Sequence, residues 1–269
     1  YIACGAFDGD YFIAYLYTRA CLSVYKNGYK YKEDAMRYVL KIAYDGTNYA
    51  GWPRQKNATS VQEMLENAVQ AGLGKTVNIT ASGRTDAGVH AAGQICHFDE
   101  DTLTIPAEKL PDCLNAFLPP DVRVLDGWNA NENFHSTRSA NRKTYVYSLY
   151  VSKREMPLKE RYAVRIDNAP DLQTLQNAAR LMQGEHDFKA FCASGSSVQT
   201  TVRTVYEVRV EENQTFGGRD IKIYVTGNGF LYNMVRTMVG ELLDLATGKR
   251  TKQSLEQAFQ TGKRDLLGK

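Results

Sequence analysis

Residues 37–48 read RYVLKIAYDGTN, eight residues dominated by aliphatic and aromatic side chains that close on the quartet Asp45-Gly46-Thr47-Asn48. The first eight predict a strand and the last four its turn. The period then changes. Ser60 with Glu63 is a capping-box pair, Val61, Leu65, Ala68 and Val69 recur at helical spacing, and Gly72 and Gly74 stop the helix. Alternation between a period of two and one near 3.6 marks mixed α and β structure.

Outward from there the alternation continues. Residues 76–81 and 94–98 predict strands flanking a glycine-bounded loop; residues 107–117 predict a short helix ending before Pro119-Pro120, and residues 122–128 a closing strand. A second half repeats the theme. It has strands at 144–151, 201–211 and 220–226, a helix at 170–182 with Leu172, Leu175, Ala179 and Met182 on one face, and a long helix at 231–246. The expected fold is α+β: two related βαβ-type, ferredoxin- or RRM-like subdomains, residues 36–137 and 138–269, whose antiparallel sheets join around a central cleft. Residues 1–35 hold seven tyrosines but no clean period or cap. They are expected to be a leader outside the fold, with Met36 as a natural start. A secretory signal is not indicated, because the first basic residue is Arg19 and no cleavage site follows an apolar core.

With 269 residues, 43% apolar and 23% charged, the chain has the composition of a globular protein with a sizeable core. No apolar run approaches the roughly 18 residues of a membrane span. The five cysteines are odd in number and scattered without a C-x-x-C, which points to reduced thiols in a cytoplasm. The four histidines show no metal-ligand spacing, so no metal is expected. Net charge is only +3, but residues 135–165 carry eight basic residues against two acidic ones, a local +6, interleaved with Tyr145, Tyr147, Tyr150 and Tyr162. Charge for phosphates and rings for stacking coincide there, as a nucleic-acid-facing surface requires; a solvated strand pair is the plainer alternative.

Two glycine motifs lead nowhere. Gly74-Lys75-Thr76 has Val69 where a P-loop needs its first glycine and is followed by strand-like residues, which disfavours a P-loop hydrolase. Gly227-Asn228-Gly229 lacks the third glycine of a dinucleotide fingerprint. The loop SGRTDAGVHA, residues 82–91, is different: Arg84 and Asp86 stand two positions apart between glycines, a layout that no hydrophobic period explains. A loop on a rigid strand can hold a reacting group both fixed and accessible, although an Asp beside Gly also suits an Asx-turn.

This decapeptide resembles the catalytic loop of the bacterial tRNA pseudouridine synthase A family, which modifies uridines 38 to 40 of the anticodon stem-loop. The likeness extends from Met36 to about Leu267 in the family's order. It includes Tyr44-Asp45-Gly46-Thr47, Gly51-Trp52, Ser60-Val61-Gln62, Phe134-His135, Arg138-Ser139-Ala140 and Tyr145. Further along come residues 184–188 (GEHDF) and 228–236 (NGFLYNMVR). The family's final strand has no counterpart after Leu267, so the second subdomain is expected to be truncated there. The resemblance implies an isomerase without a cofactor, with Asp86, Tyr145 and Arg236 as catalytic residues. Asp86 is the nucleophile; attack at C1′, attack at C6 and proton abstraction from the sugar all call for one carboxylate. Tyr145 stacks on the base, and Arg236 keeps Asp86 ionised. A stem uridine must leave the stack, and Arg84 fills its place. Arg84, Tyr145, Arg138, Arg142, Lys143 and His90 form the expected substrate-binding set. The tRNA anticodon stem-loop is the expected partner, and a homodimer follows by analogy. The competing reading is an RNA-binding module without catalysis.

Overall fold

The stretch at 37–44 is strand β2 (Arg37–Tyr44); Tyr38, Leu40, Ile42 and Tyr44 bury one face in the core, and Val39 is buried on the other, where Lys41 is exposed. Burying each such aliphatic side chain contributes about 1.5–3 kcal/mol. On its two edges β2 pairs antiparallel with β4 (His90–Asp99) and β5 (Val122–Ala130). Arg37 sits opposite Asp99 and donates to both carboxylate oxygens at 2.7 and 2.8 Å; it also donates to the carbonyls of Glu132 and Phe134. The computed structural model describes residues 14–19, 37–193 and 198–268, which divide into two units, 14–143 and 144–268. The division falls within a strand, six residues beyond the expected boundary at 137/138.

In the first unit, α1 (Val61–Leu73) follows the predicted pattern. Ser60 accepts from the Glu63 N–H at 3.2 Å, and Gly74 ends the helix at φ +68°. Val61, Leu65, Ala68 and Val69 are its buried stripe. The strand expected at 76–81 shrinks to β3 (Thr80–Ala81), paired with His97 and Cys96 of β4. One reason is that the Ile79 N–H donates to the Glu66 side chain of α1 rather than to a neighbouring strand. A 3-10 turn and α2 (Leu110–Asn115) precede β5. The order β2-α1-β3-β4-α2-β5, with β4 and β5 flanking β2 and β3 beyond β4, is ferredoxin-like.

Within the presumed leader, β1 (Ala14–Arg19) pairs in parallel with β4, matching Tyr15 to His90 and Leu16 to Ala91. The expectation that residues 1–35 stand outside the fold therefore fails for these six. The sequence AYLYTR is aromatic and β-branched enough for a strand, and pairing through the main chain needs no alternation of side chains. Residues 1–13 and 20–36, Met36 included, lie outside the described residues.

The second unit takes most of β6 (Arg142–Val151) and adds α3 (Pro157–Glu160), β7 (Val164–Ile166), α4 (Leu172–Arg180) and β8 (Gly184–Asp187). After these come β9 (Val202–Thr215), β10 (Gly218–Gly227), α5 (Met234–Ala246) and α6 (Lys252–Thr261). Neighbours in its sheet run β6-β10-β9-β8, and α4 packs on β9 and α5. The succession β6-α4-β9-β10-α5, with β10 beside β6, repeats that of β2-α1-β3-β4-α2, where β4 is beside β2. Both units are thus α+β with largely antiparallel pairing. Helix α6 was not expected, although Thr251 and Ser254 form a reciprocal capping box and Gly262 closes it. No helix among the described residues is long and apolar enough to cross a membrane.

Replacing the Ser60 cap with alanine should cost about 1 kcal/mol, whereas Leu65→Ala, which opens a cavity under the same helix, should cost about 2–5 kcal/mol. Urea unfolding of both variants checks the ranking; equal losses would show that the cap does more than end α1.

Candidate active-site loop

Residues 82–89 connect β3 to β4, and almost every second residue is tied down. Ser82 and Thr85 are buried, and Arg84 and Asp86 are exposed. At the start of the loop, the Ser82 N–H donates to Ile95 O at 2.8 Å, and Lys143 Nζ donates to Ser82 O at 2.5 Å. Just upstream, Ser136 Oγ donates to Thr80 O and Thr137 Oγ1 to Ala81 O, at 2.8 and 2.7 Å. In the middle, Thr85 O accepts from the Trp52 N–H at 3.0 Å, and Thr85 Oγ1 lies 2.8 Å from Tyr44 Oη. At the end, the Gly88 N–H donates to Tyr49 O, and the Val89 N–H to Asp86 O, both at 3.2 Å.

Two glycines permit this proximity. A Cβ on Gly46 would lie 2.0 Å from Val89 O, and one on Gly51, where φ is +89°, would lie 2.3 Å from Thr85 O. Backbone meets backbone at both points, and no side chain could be accommodated without moving the loop. The segment 46–52 therefore acts as a mould for the loop that carries Asp86.

Of the expected site residues on this loop, Asp86 and Arg84 are exposed side chains on a fixed main chain. His90 is not. It is 2% exposed, and its Nδ1 accepts from the Gly46 N–H and lies 3.0 Å from Asp45 Oδ1. The expected substrate contact is instead an interior residue that holds the 45–46 turn. Lys143 likewise spends its ammonium on the Ser82 carbonyl, while Arg138 and Arg142 are exposed.

In the second unit, Tyr145 is partly exposed on β6, and its ring meets Phe230 edge-on at 5.1 Å. Arg236 lies in the first turn of α5, where the helix dipole disfavours a cation. Burial pushes the Tyr147 hydroxyl up in pKa, and the positive charge of Arg236 counters it. Tyr147 and Tyr150 are core residues rather than stacking platforms, and Tyr150 accepts from the Met156 N–H at 3.1 Å. Lys159 is bound to Asp220 and Thr215, and Arg165 to Asp167 and the Ser152 carbonyl. Of the eight basic residues in the stretch 135–165, Arg138, Arg142, Lys153, Arg154 and Arg161 are exposed. Gln94, buried beneath the loop and bonded to Tyr44, was not singled out from the sequence; a lone amide among Ala91, Ala92, Ile95 and Cys96 was the available signal.

The tRNA pseudouridine synthase family matches residues 41–136 and 178–268. The tRNA pseudouridine synthase A of Thermoanaerobacter sp. (strain X514) is 41% identical over 230 residues, covering 86% of this chain and 92% of that protein. Its namesake in Bacillus subtilis (strain 168) is 40% identical over 237 residues, 87% and 94% of the two chains. That of Halalkalibacterium halodurans is 38% identical over 234 residues, 87% of each.

The support under β3 is sensitive to acid. His97 Nδ1 lies 2.8 Å from Ser136 Oγ, and burial, with Arg37 and His135 nearby, pushes its imidazole down to about 4. An unfolded-chain histidine titrates near 6.5, so the unfolded state takes up the proton first, and stability falls as pH drops from about 6.5 to 4. His97→Gln removes that titration. Its urea midpoint should decline less across this window than that of the parent chain, and parallel declines would place the acid sensitivity elsewhere.

Proposed function

This chain belongs to the tRNA pseudouridine synthase family, and from that premise we propose that it isomerises uridine to pseudouridine at positions 38 to 40 of the tRNA anticodon stem-loop, with Asp86 as the nucleophile. The supporting observation is the placement of Asp86: its carboxylate is exposed while Thr85 beside it is buried and bonded through both side chain and main chain. The reaction breaks the C1′–N1 bond and joins C1′ to C5; C5 gives up a proton and N1 gains one, so no atom is added or lost. A carboxylate held in one place meets the need for an anion at the sugar or the base without reorganisation at the moment of reaction.

Tyr145 and Arg236 complete the reacting set that the resemblance implies. The partly exposed ring of Tyr145, steadied by Phe230, suits stacking on uracil. The charge of Arg236 at a helix N-terminus is an arrangement that helix stability alone would not favour. Arg84, Arg138 and Arg142 are exposed cations suited to phosphate contact, and Arg84 to filling the place of a flipped nucleotide. By the same resemblance the active form is a homodimer in the cytoplasm; sedimentation of the purified chain as a monomer would remove that part.

Asp86→Asn should abolish pseudouridine formation in an unmodified tRNA transcript while leaving tRNA affinity within a few-fold, because the phosphate contacts remain. Near-normal turnover would take Asp86 out of the mechanism, and a parent chain that binds tRNA without modifying it would leave an RNA-binding module. Arg84→Ala should impair a stem uridine more than an unpaired one, where unstacking costs less. Equal losses at both would make Arg84 a phosphate anchor alone.

A further inference from the structure

We propose that Gln94, Tyr44 and Thr85 form a buried hydrogen-bonded relay that positions Asp86 for catalysis, a role that rests on the function proposed above. Tyr44 Oη lies 3.2 Å from Gln94 Oε1 and 2.8 Å from Thr85 Oγ1. The amide oxygen only accepts, so the Tyr44 proton goes to Gln94, and the Thr85 hydroxyl donates its own proton to Tyr44. The relay has one direction, running from Thr85 to Tyr44 to Gln94. All three residues are in the core, Gln94 completely so.

The relay comes at the expense of the core. Gln94 Nε2 is buried with no hydrogen-bond partner among the described residues. A leucine or methionine would fill similar space without an orphaned amide, so packing does not account for glutamine here. What glutamine adds is Oε1, the acceptor that orients Tyr44. Thr85 is then held twice, by its hydroxyl and by the carbonyl that accepts from the Trp52 N–H. Its β-branched side chain has few rotamers, so a fixed hydroxyl also fixes the adjoining main chain. Asp86 is the next residue and is exposed. The peptide unit it shares with Thr85 fixes the main chain from which its side chain projects. These three are positioning residues, and none is assigned a contact with the reacting atoms.

The test uses the full chain with Tyr44→Phe, Thr85→Val, their combination, and Thr85→Ser, which keeps the hydroxyl. A misplacement of about 1 Å costs on the order of 100-fold, so the single-turnover rate on a tRNA transcript should fall about 10- to 100-fold in Tyr44→Phe and Thr85→Val. Affinity for tRNA should stay within about twofold, because no phosphate contact is removed. The double variant should be no slower than the worse single one, as expected of groups acting as a unit, and Thr85→Ser should recover most of the rate. Hydrogen exchange supplies a readout independent of activity. The amide of Trp52, which donates to the loop, and that of Gly88, which donates from the loop to Tyr49 O, should exchange about tenfold faster in Tyr44→Phe while those of α1 stay protected. Unchanged exchange at Trp52 and Gly88 overturns the relay, as do rates within about twofold of the parent in an active enzyme. If the parent chain forms no pseudouridine, the proposed function fails by itself and the exchange result still decides whether the relay holds the loop. Should Thr85→Val not fold, Tyr44→Phe and Thr85→Ser carry both measurements.

Discussion

Two stretches of main chain, residues 46–51 and 85–89, touch without a side chain between them, and the site depends on that contact. Gly46 and Gly51 make it possible, since a Cβ at either would lie within 2.3 Å of a loop carbonyl oxygen. Hydrogen bonds from Trp52 to Thr85 and from Gly88 to Tyr49 then lock the two together. Such a contact transmits position better than packed side chains do, because peptide groups have no rotamers to relax into. The placement of Asp86 follows from it.

Several residues with the chemistry of a reactive site are used instead to hold the site in shape. The His90 imidazole is taken up by the 45–46 turn, Lys143 by the Ser82 carbonyl, and Ser136 by Thr80. This is economical for a loop with few apolar side chains of its own: it cannot be stabilised by burial, so polar bonds from outside supply the rigidity. Arg84 and Asp86 are the exposed groups on the loop that these bonds hold.

Much of this was legible in the chain itself. The helix stripe at Val61, Leu65, Ala68 and Val69 reads correctly because a period of 3.6 set by burial is local information, and the long alternations at β2, β9 and β10 read correctly for the same reason. What could not be read depends on partners distant in sequence. Residues 76–79 alternate like a strand but pair with no strand among the described residues, so β3 keeps two residues; AYLYTR does not alternate yet finds the edge of β4. At the site, Arg84 and Asp86 stood out because no period explained them. His90 and Lys143 looked alike as surface candidates, and only the fold shows one buried and the other bonded to a carbonyl. Tyr147 and Tyr150 read as part of a basic, aromatic surface, but β6 is buried on both faces over residues 146–150, which puts both in the interior.

The anchors of the loop also impose an order in time. Lys143 is 61 residues beyond Ser82, and Ser136 is 56 beyond Thr80. During synthesis from the N-terminus the loop is complete long before the residues that brace it exist. A nascent chain ending before residue 136 has the aspartate but not its full set of supports. Late bracing thus withholds a fully shaped site until the first unit has been made through Lys143.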